Sequence, residues 1–322
     1  MDARKQYSRL GWAYVVFLLV AGGVQALYVV TYTLLQFWIR YPLVERVVSF
    51  LGSREGMILI SIFSMYACAF PVFWLMMRRI PSWHKDSTES ICFWKLLVLL
   101  VVCLGVTYIG NLIGQGLMLI SGLLTGRGGV NPVDDMILEM HPAVMILSTI
   151  VVAPVMEELM FRKLLIDRTV CFGQRTAVVL SGISFGLFHG NFYQFFYACA
   201  LGMIFAYVYS STGKLRYSIG LHMVINTIGG LVPLLLMRGL NSENPVAELA
   251  GMAGLGLLGL FMIAAMLAAI VLLCLFVRKL RWFQPWEMGA GMDAVRCLVR
   301  APGVWVMVGL QGVAFLLGMI RG

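Results

Sequence analysis

The sequence has few charged residues and no pattern typical of a soluble domain. Only 12% of its 322 residues are charged, whereas 61% are hydrophobic. An ordinary globular domain carries about a quarter charged residues. The few charges lie between long apolar runs, so the composition excludes most soluble proteins and predicts that the bilayer is the solvent.

Patterns for disulfides, zinc fingers and nucleic-acid binding are also missing. The seven cysteines are odd in number, form no C-x-x-C pair and lie mostly within apolar runs. We interpret them as small apolar packing residues. The net charge is +9, but no basic segment is interleaved with aromatic residues. We therefore expect no nucleic-acid partner and attribute the basic charge to cytoplasmic loops.

The apolar runs predict an all-α, polytopic transmembrane helix bundle of eight or nine spans, forming one membrane domain over residues 1–322. The first run is too long for a signal-peptide h-region and has no cleavage site of small residues, so we expect it to remain in the mature protein. The nine candidate spans are 10–38, 56–77, 95–124, 143–170, 174–190, 193–211, 217–237, 251–277 and 302–320.

The distribution of basic residues predicts the orientation of these spans. Lys and Arg are three times as numerous in one set of alternating segments as in the other, which favours an N-terminus in the cytoplasm. Residues 278–301, with Trp282, Pro285 and Trp286, are interpreted as an amphipathic connector on the cytoplasmic surface. The sequence has no internal repeat of the transporter kind and no low-complexity segment.

Two glycine patterns are interpreted as helix packing. Residues 254–259 match GxGxxG, but they lie inside an apolar span without a preceding strand, so the dinucleotide-binding mechanism is absent. Small residues in a span allow close helix contact instead. We expect the same of Gly110 and Gly114, which form a GxxxG pair.

Ionisable side chains inside a span are costly and therefore informative. The fourth span contains Glu157, Glu158 and Arg162. The i,i+4 spacing of Glu158 and Arg162 allows an ion pair. Adjacent helical residues point about 100° apart, so we expect Glu157 to face a different target and to be available as a base. Both glutamates could equally end the helix near the interface.

Two more spans contain polar residues at helical spacing. Phe185 and His189 share one face of the fifth span, and His222 and Asn226 share one face of the seventh. Taken alone, each set could be a packing group or a hydrogen-bond clamp between helices. The other histidines, His84 and His141, fall in predicted loops.

The three motifs EExxxR, FxxxH and HxxxN, in this order and on separate spans, resemble the CPBP family of CAAX-protease-like and bacteriocin-processing membrane proteins, also called Abi. The resemblance covers about residues 140–230, which we take as the catalytic core. The matching residues are Glu157, Glu158, Arg162, Phe185, His189, His222 and Asn226.

The resemblance implies an intramembrane endopeptidase that needs no cofactor. Glu157 would activate water, His189 would position the water and move its proton, and His222 and Asn226 would stabilise the oxyanion. Glu158, Arg162 and Phe185 would support them. For Glu157 and His189 to meet, either the fourth span continues as a helix to about Cys171 or the fifth span is tilted or set inward, and we expect the first.

The sequence also allows other mechanisms and functions. Glu157, His189 and His222 are an acceptable set of zinc ligands. The chain could instead be a non-catalytic scaffold for bacteriocin immunity or membrane regulation, or a transporter with a proton relay. We expect the protein to lie in a bacterial plasma membrane and to act on a membrane-associated peptide or protein. The sequence does not indicate its oligomeric state.

Overall fold

Long apolar runs form helices because a backbone in lipid must satisfy its own hydrogen bonds. A computed structural model describes residues 2–83, 90–125, 141–282 and 292–321, and the regular structure in these ranges is helical. The helices are α1 (Ala3–Gln36), α2 (Pro42–Gly52), α3 (Arg54–Met77), α4 (Phe93–Thr125), α5 (Pro142–Phe172), α6 (Gln174–Phe188), α7 (Phe192–Thr212), α8 (Leu215–Leu240), α9 (Pro245–Lys279), α10 (Met292–Val299) and α11 (Pro302–Arg321).

The all-α polytopic bundle is confirmed, but the number of spans is smaller than nine. In the described ranges, seven helices are long and apolar enough to cross a bilayer, and α10 with α11, bent by 56°, would make an eighth. The predicted fifth span is absent from both counts. Its helix α6 has 15 residues, which extend only about 22 Å, whereas the hydrocarbon core is about 30 Å thick.

Helix α5 is continuous, as the meeting of Glu157 and His189 requires. It extends for 31 residues, from Pro142 to Phe172, so Glu157 lies near its middle. Two π-helical turns, Ile146–Val152 and Leu159–Leu164, interrupt its α-helical hydrogen bonding on either side of Glu157. Turns of this kind are frequent at functional sites.

Glycines set the closest helix contacts around the site. A Cβ atom on Gly110 or Gly114 of α4 would lie 2.4 Å from Tyr197 N or 2.5 Å from Phe192 O of α7, so the predicted close packing of this GxxxG pair is confirmed. Gly186 of α6 also faces α7, where an added Cβ would lie 2.2 Å from Cys199 Sγ.

The packing prediction for residues 254–259 is only partly correct. A Cβ atom on Gly254 would lie 2.4 Å from Leu236 of α8, but Gly256 and Gly259 have nothing within 4 Å of an added Cβ. The close contacts of α9 with α8 are at Gly254 and at Gly251, where an added Cβ would lie 2.3 Å from Leu240 N. The open space beside Gly259 belongs to the cavity described below.

Parts of two predictions fall outside the described ranges. Pro285, Trp286 and His84 are among the residues that are not described. Within the predicted connector, Met292–Val299 is helical, and Trp282 packs its ring 5.2 Å from that of Tyr207 at the end of α7.

Candidate active site

A central cavity of about 530 Å³ is lined by polar side chains from several helices of the bundle. Its wall includes residues of α4, α5, α6, α7, α8 and α9. The structure places four predicted residues on this one cavity, at Glu157, His189, His222 and Asn226. Phe185 also lines it. The three motifs therefore meet in space, although their helices are separated in the sequence.

Glu157 faces the cavity with a side chain that is 16% exposed. Its Oε2 atom lies 3.7 Å from Nε2 of His222, which is longer than a hydrogen bond. The carboxylate is thus close enough to His222 for an electrostatic interaction with the imidazole, and it also has access to the cavity. Both properties suit a group that must exchange a proton with a molecule in the cavity.

Glu158 and Arg162 form the predicted pair, and both side chains are fully buried. Arg162 Nε lies 3.0 Å from Glu158 Oε2, as an ion pair rather than an aligned hydrogen bond. The guanidinium carbon lies 4.4 Å from the ring centre of Phe185 and 5.3 Å from that of Phe205. Two aromatic faces therefore stabilise the buried cation, whose Nη atoms have no hydrogen-bond partner within the described ranges.

The prediction that the adjacent glutamates face different targets was wrong. Glu158 Oε1 lies 3.1 Å from His222 Nδ1, while Glu157 lies near His222 Nε2. The 100° rule describes the directions of Cβ atoms, but the two nitrogens of one imidazole ring point in different directions. One histidine can therefore meet both neighbouring carboxylates.

These contacts define which nitrogen of His222 carries a proton. Glu158 is the carboxylate of the ion pair with Arg162, and a carboxylate only accepts hydrogen bonds. His222 Nδ1 therefore donates to Glu158. The chain of contacts from Arg162 through Glu158 to His222 orients the imidazole toward Glu157, as outer partners orient ligand or catalytic histidines elsewhere.

His189 is fixed in a similar way by a backbone group. Its Nδ1 lies 2.8 Å from the carbonyl oxygen of Phe185, one helical turn earlier. Because a carbonyl can only accept, Nδ1 is the protonated nitrogen. In the neutral ring, Nε2 is then an acceptor. The Phe185 ring contacts the rings of His189 and His222 edge-on, at centroid distances of 4.9 and 5.7 Å, and separates the two imidazoles.

Asn226 has the clamp contact that the sequence left open. Its Nδ2 donates to the carbonyl oxygen of Thr149 at 2.8 Å, which fastens α8 to the first π-helical turn of α5. Both residues line the cavity. An amide group has two N–H donors, so this contact leaves one donor for a second partner.

Several residues of the cavity belong to none of the three motifs. Tyr108 and Asn111 of α4, and Gln194 and Tyr197 of α7, line its wall. Each pair has i,i+3 spacing within an apolar helix, which was the available signal. Gln194 Nε2 donates to the Tyr197 hydroxyl at 2.8 Å. Phe205, the second aromatic neighbour of Arg162, was also missed because an aromatic residue in a span carries no distinguishing pattern.

Metal ligands are not clustered within the described ranges. No group of three His, Cys, Asp or Glu side chains there is close enough to hold a metal ion. The trio considered for zinc, Glu157, His189 and His222, lines the cavity without forming such a group. The metal-free mechanism stays a prediction, which cleavage in the presence of a chelator can test.

Comparison with known proteins finds similarity in the segment that builds the site. Residues 139–228 match the family model described as type II CAAX prenyl endopeptidase Rce1-like. A Bacillus subtilis (strain 168) protein named "Putative membrane peptidase YdiL" is 27% identical over 178 residues, which cover 52% of this chain and 68% of that protein. No solved structure matches. The segment 139–228 contains all seven residues of the three motifs.

Proposed function

We propose that Glu157 activates the water that cleaves a peptide bond within the bilayer, because residues 139–228 match the model of CAAX prenyl endopeptidases and a similar protein is named a putative membrane peptidase. The observation that carries the proposal is the arrangement of Glu157, His189, His222 and Asn226 around one cavity. Without that common cavity, the motifs would be three unrelated sets of polar residues.

The proposed mechanism places one proton on the cluster. Glu157, Glu158 and Arg162 together carry one net negative charge, and a net charge is costly in a buried site. Protonation of His222 makes the cluster neutral and leaves Glu157 as a carboxylate. His222 then has a donor at Nε2 as well as at Nδ1. Glu157 can act as the base, and His222 as a donor to developing negative charge.

The reaction follows from these roles. Glu157 accepts a proton from water as the water oxygen attacks the scissile carbonyl carbon, while His189 Nε2 accepts a hydrogen bond from the same water. The carbonyl oxygen becomes an oxyanion, which His222 Nε2–H and the second N–H of Asn226 stabilise. The C–N bond then breaks as the proton passes from Glu157 to the leaving amine. The products are an amine and a carboxylic acid, which then releases its proton to solvent as a carboxylate.

The substrate and location are part of the proposal. The substrate is a membrane-associated peptide or protein, because the cavity lies within the bundle and has an apolar wall from α9, which includes Leu258 and Met262. The protein is a multi-pass protein of a bacterial plasma membrane with its N-terminus in the cytoplasm, as the distribution of Lys and Arg favours.

The decisive experiment measures cleavage of a labelled peptide library by the full chain in lipid nanodiscs, with mass-spectrometric mapping of the cut bond. Glu157→Gln removes the base but keeps the size and a hydrogen-bonding end. We expect a loss of cleavage of at least about 10²-fold with unchanged thermal unfolding. His141→Gln is the matched control, because His141 caps the start of α5 away from the cavity.

The rival functions give different results in the same experiment. Loss of cleavage on adding a chelator, with recovery on adding zinc, would assign the zinc-dependent mechanism. A non-catalytic scaffold would cleave nothing and would keep its cellular phenotype in the Glu157→Gln variant. A transporter would move protons across vesicles without cutting any peptide. Chelator-resistant cleavage that depends on Glu157 is the outcome expected for a glutamate peptidase.

A further inference from the structure

A second cavity lies at the end of the bundle where α1 begins and α3 ends. It has a volume of about 320 Å³ and is lined by Arg9, Trp12, Met76, Arg79 and Ile80. A side-chain hydrogen bond from Gln6 to the carbonyl oxygen of Pro81, 3.3 Å long, holds the two chain segments together at this end. The cavity is separate from the candidate active site and shares no residue with it.

Both arginines of this cavity lack an acidic partner among the described residues. The acidic residues described at this end pair elsewhere. Asp2 lies 3.7 Å from Lys5, Asp167 lies 2.7 Å from Lys163, and Asp293 lies 3.8 Å from Arg296. The cavity therefore carries two guanidinium charges on one small concave surface, which favours an anionic ligand.

The cavity wall is held in place by packing. A Cβ atom on Gly303 of α11 would lie 2.9 Å from Trp12 Cδ1, so the indole rests directly on that helix. Ile80, at the base, is only 4% exposed. Below it, Arg168 donates to the carbonyl oxygen of Met77 at 2.8 Å and fixes the end of α3. Two exposed arginines thus line a cavity whose other residues are apolar.

The apolar surface continues from the cavity along α3 toward the bilayer interior. Val72 and Leu75 are exposed there, as is Trp12, a residue type enriched at membrane–water boundaries. A ligand that fits both the charged cavity and the apolar surface beside it has a negative head and an apolar tail. Guanidinium groups bind phosphate oxygens with two parallel hydrogen bonds.

We propose that Arg9 and Arg79 bind the phosphate of an anionic phospholipid, whose acyl chain lies over Trp12 and the adjoining face of α3. The site is independent of the peptidase proposal, because none of its residues lines the catalytic cavity. It anchors the ends of α1 and α3 to one leaflet and makes the stability of this end of the bundle depend on lipid composition.

The test is native mass spectrometry of the full chain in neutral detergent, with phosphatidylglycerol or phosphatidylcholine of identical acyl chains added at equal concentration. We expect wild-type protein to retain phosphatidylglycerol preferentially. The double variant Arg9→Gln/Arg79→Gln should bind it about 10- to 100-fold more weakly. Arg78→Gln is the matched control, because Arg78 stacks on Trp74 at 5.0 Å and does not line the cavity.

Four outcomes would overturn the proposal. They are an equal affinity of the wild type for both lipids, an equal loss in Arg78→Gln, an unchanged affinity in the double variant, and displacement of the lipid by millimolar inorganic phosphate, which would assign the site to a free anion. If the double variant unfolds at a lower temperature without lipid, Arg79→Gln alone gives the measurement. It lies beyond the end of α3 and should weaken binding by about 5- to 10-fold.

Discussion

Helices α5 and α9 line the same cavity, but they differ in how much of their surface is covered by other parts of the protein. In its most apolar stretch, α5 is 39% buried inside the protein, whereas α9 is 11% buried. Helix α5 carries Glu157, Glu158 and Arg162, each with an aromatic or ionic neighbour from another helix. Helix α9 contributes only apolar residues and glycines to the cavity. Charges inside a bilayer thus require surrounding protein, while a helix with a long apolar stretch can face the lipid and still line the cavity.

Loss of a buried charge partner tests this comparison most strongly. Arg162→Met leaves Glu158 buried without its cation, and we expect the free energy of unfolding to fall by about 3–5 kcal/mol. Lys163→Met is the matched control, because Lys163 also pairs at i,i+4, with Asp167, but is 39% exposed. Its cost should stay below about 1 kcal/mol. Unfolding in mixed micelles measures both, and similar losses in the two variants would refute the distinction.

Removal of the whole pair separates stability from activity. In the double variant Glu158→Gln/Arg162→Met, no unpaired charge remains, so stability should return to within about 1–2 kcal/mol of wild type. His222 nevertheless loses its ionised partner, and we expect kcat to fall about 10- to 100-fold with KM little changed. Recovery of full peptidase activity together with stability would show that Glu158 does not position His222.

Glycine contacts give the next largest expected effect. Gly186→Ala would place a methyl group 2.2 Å from Cys199 Sγ and separate α6 from α7, at a cost of about 1–3 kcal/mol. Gly116→Ala, in α4, meets nothing within 4 Å and should not destabilise the protein. Thermal unfolding of the two variants in the same detergent tests this prediction. Equal melting temperatures would contradict the close approach of α6 and α7.

The smallest expected effect concerns the apolar wall of the cavity. Gly259→Leu fills part of the cavity without a clash, because an added Cβ meets nothing within 4 Å. We expect kcat/KM to fall about tenfold for peptides with bulky apolar residues at the cut, with unchanged stability. Gly256→Leu, equally open but outside the cavity wall, is the control. An equal loss of activity in both variants would mean that α9 does not contact the substrate.

The sequence predicted those features that depend on one helix at a time. Pairing of Glu158 with Arg162 and the shared faces of Phe185 with His189 and of His222 with Asn226 follow from helical spacing. The continuation of the fourth span to about Cys171 was expected because Glu157 and His189 have to meet. The all-α bundle follows from apolar runs and from the backbone's need for internal hydrogen bonds in lipid.

Contacts between side chains of different helices could not be predicted from spacing, and the meeting of the three motifs was expected only from the family resemblance. The contact of Glu158 with His222 requires the relative rotation of α5 and α8, and the pairs Tyr108–Asn111 and Gln194–Tyr197 lie on the cavity only because α4 and α7 pack through glycines. The short α6 was taken for a full span because apolar composition does not reveal where a helix ends. Gly190, with a φ of +65°, follows the end of α6 and redirects the chain.

The widened turn at Ile146–Val152 has a consequence for comparing relatives. A π-helical turn holds one residue more than an α-helical turn, and one residue rotates a helix by about 100°. A relative without this turn can present Thr149 and Glu157 on the same side only if it is one residue shorter between Met145 and Ala153. A gap at that place in an alignment would therefore mark a change of helix geometry, with the cavity wall itself preserved.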